Sequence, residues 1–210
     1  MTRVALVAPL DWGLGHANRC IPIIRELLNA GFEVIIAAEG SQKAILSEEF
    51  PAISIIHING YHLSYGNKKW KTPLKILLQS PKILTAINKE NQWIRALHKE
   101  KHLAVIVSDN RFGLYHPDVF SIFITHQLYI RSPFGRIINR ILQKINYRFI
   151  NRFSLCWVPD AAGNQNLAGE LSHPTYLPKT PVQYIGCLSR IKKIPSPITN
   201  KLLVLAQFLA

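Results

Sequence analysis

Residues 103–107 (LAVIV) are apolar at five successive positions, so neither side of a strand made from them can face water. A strand covered on both faces belongs to a parallel sheet between helices, because each parallel crossover lays a helix on one face. The rest of the chain repeats the pattern. Residues 3–9, 33–38 (EVIIAA), 53–58, 103–108, 119–125 (VFSIFIT), 154–159 and 182–185 read as strands. Between them, residues 21–30 carry Ile21, Ile24, Leu27 and Leu28 at helical spacing, and Gly31 stands where a helix stops. Ser41 is an expected N-cap for a helix reaching Phe50, before Pro51. Residues 73–99 read as helical, split at Pro81, and residues 134–153 as a long basic helix. Residues 11–19 and 60–71 read as loops. The expected fold is α/β: a Rossmann-like parallel sheet with helices on both faces.

A composition of 48 % hydrophobic and 18 % charged residues excludes a disordered chain. No run reaches the roughly 18 apolar residues of a membrane span. Cys20, Cys156 and Cys187 lie far apart without a CxxC pair, which excludes a zinc site or disulfide framework by spacing and fits a reducing, cytoplasmic setting. The net charge of +13 is uneven. Residues 1–110 hold 13 bases and 9 acids; residues 111–210 hold 12 bases and 3 acids. A basic half points to a polyanionic partner: phosphorylated substrate, anionic membrane or nucleic acid. Nucleic acid is disfavoured, because no helix-turn-helix or RNA-binding aromatic signature accompanies the charge.

Three polar clusters follow three expected strands. The first is residues 11–19 (DWGLGHANR), with Gly13, Gly15, His16 and Asn18. Glycines there permit a tight turn, and the helix that follows presents amide groups to an anion. His16 is a base near neutral pH. The same residues also suit a Gly-rich turn with a solvated His. A dinucleotide fingerprint needs a third Gly where Asn18 stands, although Glu39 sits where a ribose-binding acid belongs. The second cluster is Asp109 and Arg111, suited to hydroxyls or phosphate, or to an ion pair closing the loop. The third is His126 and Gln127. On one parallel sheet all three converge beyond the carboxyl ends of the strands, where ligands bind.

The basic helix carries Arg136, Arg140, Lys144, Arg148 and Arg152 every four residues, with Ile137, Ile138, Ile141, Leu142 and Ile145 between them. No acid occurs from Val119 to Pro159. Such a helix lies on an anionic membrane surface, or packs on the sheet with a solvated basic face.

The motifs Gly13-Leu14-Gly15-His16, Ser108-Asp109-Asn110-Arg111 and Thr125-His126-Gln127 resemble the N-terminal half of a GT-B glycosyltransferase, closest to the MurG-like group that includes an N-acetylglucosaminyltransferase. Residues 184–190 are similar to the crossing into the second domain of such enzymes. The resemblance implies an acceptor-binding domain over residues 1–187 and an interdomain linker over 188–201. Residues 202–210 would be the first strand of a C-terminal donor domain that this chain lacks, or else an edge strand of the same sheet. It also implies transfer of a hexosyl or N-acetylhexosaminyl group from a nucleotide sugar to an acceptor hydroxyl. His16 would be the base or a positioning group, and Asp109, Arg111, His126 and Gln127 would line the acceptor side. No metal or bound cofactor is expected, only the nucleotide-sugar co-substrate. As a truncated or split half, the chain is expected to be inactive alone and to work with a separate C-terminal half. The basic helix adds an expected peripheral place at the inner face of the cytoplasmic membrane. Two competing readings are a non-catalytic membrane-surface or partner-binding module and a nucleotide-dependent epimerase or oxidoreductase.

Overall fold

The computed structural model describes residues 3–61 and 80–190. Seven strands form one parallel sheet: β1 (Arg3–Pro9), β2 (Phe32–Ala37), β3 (Ile55–Ile56), β4 (Leu103–Asp109), β5 (Phe120–Ile124), β6 (Leu155–Val158) and β7 (Val182–Tyr184). Their order is β3-β2-β1-β4-β5-β6-β7. The chain therefore builds outward from β1 in one direction, then returns to β4 and builds in the other. The reversal leaves a crevice beyond the carboxyl ends of β1 and β4. In register, Pro9 stands beside Asp109 and Asp109 beside Ile124, so the three strands that carry the polar clusters end at one level.

Among the described residues four α-helices cover the sheet: α1 (Leu14–Asn29), α2 (Gly40–Glu49), α3 (Ser80–Lys101) and α4 (Arg136–Ile150). Alternation along the strands decides the layers. Val7, Val34, Ile36, Val107, Ile122 and Ile124 pack with Ala17, Ile21, Ile24 and Leu46 of α1 and α2. Leu6, Ala8, Ile35 and Ile106 pack with Ile94 and Leu97 of α3. Phe123 meets Ile150 of α4 in a neighbouring cluster.

The helices differ from the sequence expectation in two places. Helix α1 begins at Leu14, not Ile21, so residues expected in a loop form its first turns. Gly13, at φ +71°, makes the bend that admits the helix so early, a conformation side chains resist. Helix α2 is entered from Glu39 rather than capped by Ser41, whose hydroxyl turns to the Gln42 side chain. Pro81 is the second described residue of α3, and the residues before Ser80, on the other side of the expected split, lie outside the described residues. The Lys68–Lys71 cluster, the first part of the expected 73–99 helix and the expected strand 202–210 lie outside the described residues, as does the linker beyond Arg190.

A charged pair braces the α3 face. Arg111 is fully buried (0 % exposed), 2.8 Å from Glu90 of α3, and donates to the carbonyl of Asn59 at 2.6 Å. Tyr61 donates its hydroxyl to the other Glu90 oxygen at 2.8 Å, and the Gly113 amide joins it at 3.1 Å. Burial pushes the Glu90 carboxyl up against the pull of Arg111. Removing one partner of a buried pair strands the other charge. Arg111→Met should lower the unfolding free energy by about 3–5 kcal/mol, read by urea denaturation. Much of that loss should return when Glu90→Gln is added.

Candidate functional site

The site is built where β1, β4 and β5 end. Asp109 is the last residue of β4 and shares the parity of Val107, so its side chain points to the α1 face. It is completely buried (0 % exposed), and a buried carboxylate needs partners. Helix α1 supplies them. Arg19 takes both carboxylate oxygens: its Nε donates to Oδ2 at 2.7 Å, and its Nη2 donates to Oδ1. His16 Nδ1 lies 3.0 Å from Oδ2. Cys20 brings its thiol to 3.9 Å of the same oxygen. Residues 16, 19 and 20 are one turn of one helix, so helical spacing alone gathers them.

Arg19 also faces His16 directly, Nη2 to Nδ1 at 2.6 Å, and reaches toward His126 after β5, Nη1 to Nδ1 at 3.4 Å. One guanidinium thus touches all three polar clusters. Partial burial, then the Arg19 cation and His16, hold the His126 imidazole below its ordinary pKa, which favours its neutral form. His126 and Gln127 are exposed at the rim. Their loop is tied down at both ends. The Leu128 and Tyr129 amides donate to the Leu171 carbonyl, and Asn146 of α4 donates to the Gln127 carbonyl at 3.2 Å. Asp160 orders the turn that offers Leu171. Burial works against its charge, yet the Ser172 hydroxyl and the amides of Leu167, Ala168 and Ala161 outweigh it and hold the carboxyl well below the usual range.

Asp109, His16 and His126 are thus brought together, with the Gln127 loop beside them. Gly13 and Gly15 are exposed at the α1 entrance; a side-chain carbon at Gly15 would meet nothing within 4 Å. Asn18 turns a buried Oδ1 away from any hydrogen-bond donor. Arg111 does not join the group. Asn110, at φ +57°, reverses the chain, and Arg111 runs under the sheet edge to Glu90. It does not line the crevice as expected, and buried Asp109 reaches the crevice only through His16 and Arg19. The residue that sequence reasoning missed is Arg19. Its signal was present: three positions after His16, it falls on the same side of a helix, but residues 11–19 read as a loop.

Glu39 accepts from the Gly60 amide, and Asp11 from the Tyr61 amide at 3.4 Å. A side chain at Gly60 would strike both carboxylates at about 2 Å, so glycine is required there. These carboxylates anchor the segment that follows β3.

Comparison with solved structures shows the fold. The chain matches a UDP-glucosyltransferase from Polygonum tinctorium capable of glucosylating indoxyl at TM-score 0.58 and 12 % identity, over 96 % of this chain and 55 % of that one. It matches the glycotransferase of kitacinnamycin at 0.57 and 16 %, over 96 % of this chain and 60 % of that one. A UDP-N-acetylglucosamine 2-epimerase matches at 0.51 and 8 %, over 87 % and 47 %. No family model matches, and no curated protein does. The fold is the Rossmann-like α/β arrangement of GT-B glycosyltransferase structures, and the chain spans just over half the length of the two glycosyltransferases named.

The thiols report on this packing. Burial, and then the Asp109 charge, push the Cys20 thiol well up; burial pushes Cys156 to about 12, while Cys187 is exposed. Only thiolate reacts. A disulfide reagent at pH 8 should therefore titrate one thiol of the native chain, Cys187, and three after denaturation.

Proposed function

We propose that the chain is the acceptor-side half of a glycosyltransferase, moving a hexosyl or N-acetylhexosaminyl group from a nucleotide sugar to a hydroxyl. The observation that carries this is His16 at the switch-point crevice with a buried carboxylate behind its inner nitrogen. When the Nδ1 proton is turned to Asp109, Nε2 is a free base facing the crevice. It takes the proton of the acceptor hydroxyl as that oxygen bonds to the sugar's anomeric carbon. The bond from that carbon to the diphosphate breaks, and the diphosphate leaves with the electron pair. His126 and Gln127, on the rim, are suited to hold the acceptor's other hydroxyls, and the exposed Gly13–Gly15 turn lets ligand approach the backbone. The MurG-like motifs favour an N-acetylglucosaminyl donor. The fold itself does not choose, since a sugar-nucleotide epimerase shares it. Glu39, the one support for a nicotinamide reading, is engaged with the Gly60 amide.

A second observation suggests where the acceptor resides. Helix α4 is inside out. Asn139, Gln143 and Asn146 are buried, whereas Ile137, Ile141 and Ile145 are 76 %, 47 % and 50 % exposed. The inward polar residues have partners: Asn139 binds the Ser132 amide and the Tyr129 hydroxyl, and Gln143 binds the Tyr147 hydroxyl. The outward isoleucines are flanked by Arg136, Arg140, Lys144 and Arg148. A second copy of this helix would set like charges against each other. An anionic bilayer matches both features, apolar side chains entering the headgroup boundary and cations meeting phosphates. Lys144, Arg148 and Lys179 also ring a shallow depression of about 470 Å³ beside exposed Leu177, fit for a headgroup. Among the described residues no helix is long and apolar enough to cross a membrane. The reading is a peripheral enzyme at the inner membrane face, drawing its acceptor from the lipid side.

Transfer is tested with the chain alone and with a donor-binding C-terminal half supplied in trans, reading nucleoside diphosphate release over a panel of nucleotide sugars. Turnover is expected only in the second case. There, His16→Ala should cost about 10²–10⁴-fold in kcat; full turnover by that variant would remove His16 from the chemistry. For the membrane reading, sedimentation with vesicles should show binding to mixed phosphatidylglycerol and phosphatidylcholine, weakened by salt, and none to phosphatidylcholine alone. Ile137→Ser with Ile141→Ser, or Arg140→Glu with Lys144→Glu, should each abolish it. Equal binding to both vesicle types would refute the electrostatic half of the reading.

A further inference from the structure

One nitrogen in the site faces two partners that it cannot serve together. His16 Nδ1 has an acceptor, Asp109 Oδ2, at 3.0 Å and a donor, Arg19 Nη2, at 2.6 Å. A guanidinium has N–H groups only, no lone pair to offer, and it does not lose its proton in a protein. A nitrogen 2.6 Å from it must present a lone pair, because two N–H groups pointed at each other at that distance repel. Oδ2 already accepts from the Arg19 Nε–H at 2.7 Å. The carboxylate is satisfied through the two-pronged Arg19 pair and has no need of the imidazole proton.

We infer that Arg19 is a positioning residue that fixes the tautomer of His16, keeping Nδ1 bare and the proton on Nε2 in the free protein. The ring then presents a donor, not a base, to the crevice. His126, whose Nδ1 lies 3.4 Å from the same guanidinium, is biased the same way. This deepens the transferase reading and rests on it in one respect only: for a transferase, His16 is a latent base. It becomes active when the guanidinium leaves Nδ1 and the ring exchanges its Nε2 proton with solvent for one on Nδ1, which Asp109 then accepts. The tautomer itself is independent of any reaction.

The experiment is nuclear magnetic resonance of the full 210-residue chain labelled with ¹⁵N-histidine, where two-bond proton–nitrogen correlations show which ring nitrogen carries the proton. The chain has eight histidines. His16→Gln identifies the His16 signals, and the other rings report whether each variant is folded. Above the ring's titration, wild-type His16 should be protonated at Nε2. Arg19→Lys keeps a donor without a lone pair and should retain that tautomer. Arg19→Met removes every donor, leaves Asp109 as the sole partner, and should move the proton to Nδ1. A wild-type ring protonated at Nδ1 overturns the inference, whether or not Arg19→Met folds, and so does a folded Arg19→Met that stays protonated at Nε2. Neither result touches the transfer assay, whose failure would leave the tautomer standing.

Discussion

Asp109 sets the terms for the rest of the molecule. A carboxylate with no exposed surface, at the last position of a central strand, is tolerable only if a cation reaches it. Arg19 does so from α1, and because it grips both oxygens it also fixes how α1 lies on the sheet. The early start of the helix at Leu14, the positive φ of Gly13 and the place of His16 follow from that grip. An electrostatic requirement of the core thus becomes the geometry of the crevice.

The opposite face repeats the solution with the signs exchanged. There the buried cation is Arg111 and the helix supplies the anion, Glu90. Two residues apart along the chain, Asp109 and Arg111 lie on opposite faces of one sheet edge, and the left-handed turn at Asn110 separates them. One pair ties down α1, the other α3. Between these clamps the strand ends are held in place, which would suit the acceptor site proposed at the ends of β1, β4 and β5.

Helix α4 obeys a different balance. Its polar inner face exists because the 126–135 loop offers unpaired backbone groups and hydroxyls that only side-chain amides can satisfy. Meeting that need turns the isoleucines outward. The apolar face is therefore the other side of the requirement to hold the His126–Gln127 loop, which links the rim of the crevice to the surface that would meet a bilayer.

The sequence by itself determined the sheet. Runs such as residues 103–107 admit no solvated face, so all seven strands, their parallel sense and the gathering of Gly13, His16, Asp109 and His126 at one edge were legible from alternation and apolar length. It left the apolar residues of α4 open between a membrane-facing stripe and a face packed on the sheet, and the fold turns Ile137, Ile141 and Ile145 outward. Tertiary structure alone decided which polar residues meet which. Asp109 and Arg111 look equivalent in the chain, two polar residues in one loop, but strand parity sends one to α1 and a left-handed turn sends the other to α3. Arg19 carried only a local signal, three residues after His16. Its role depends on a carboxylate 90 positions away. Local patterns fix elements because each residue's exposure is set by its neighbours in sequence. Ion pairs across the fold are fixed by packing, which brings together groups that no local pattern relates.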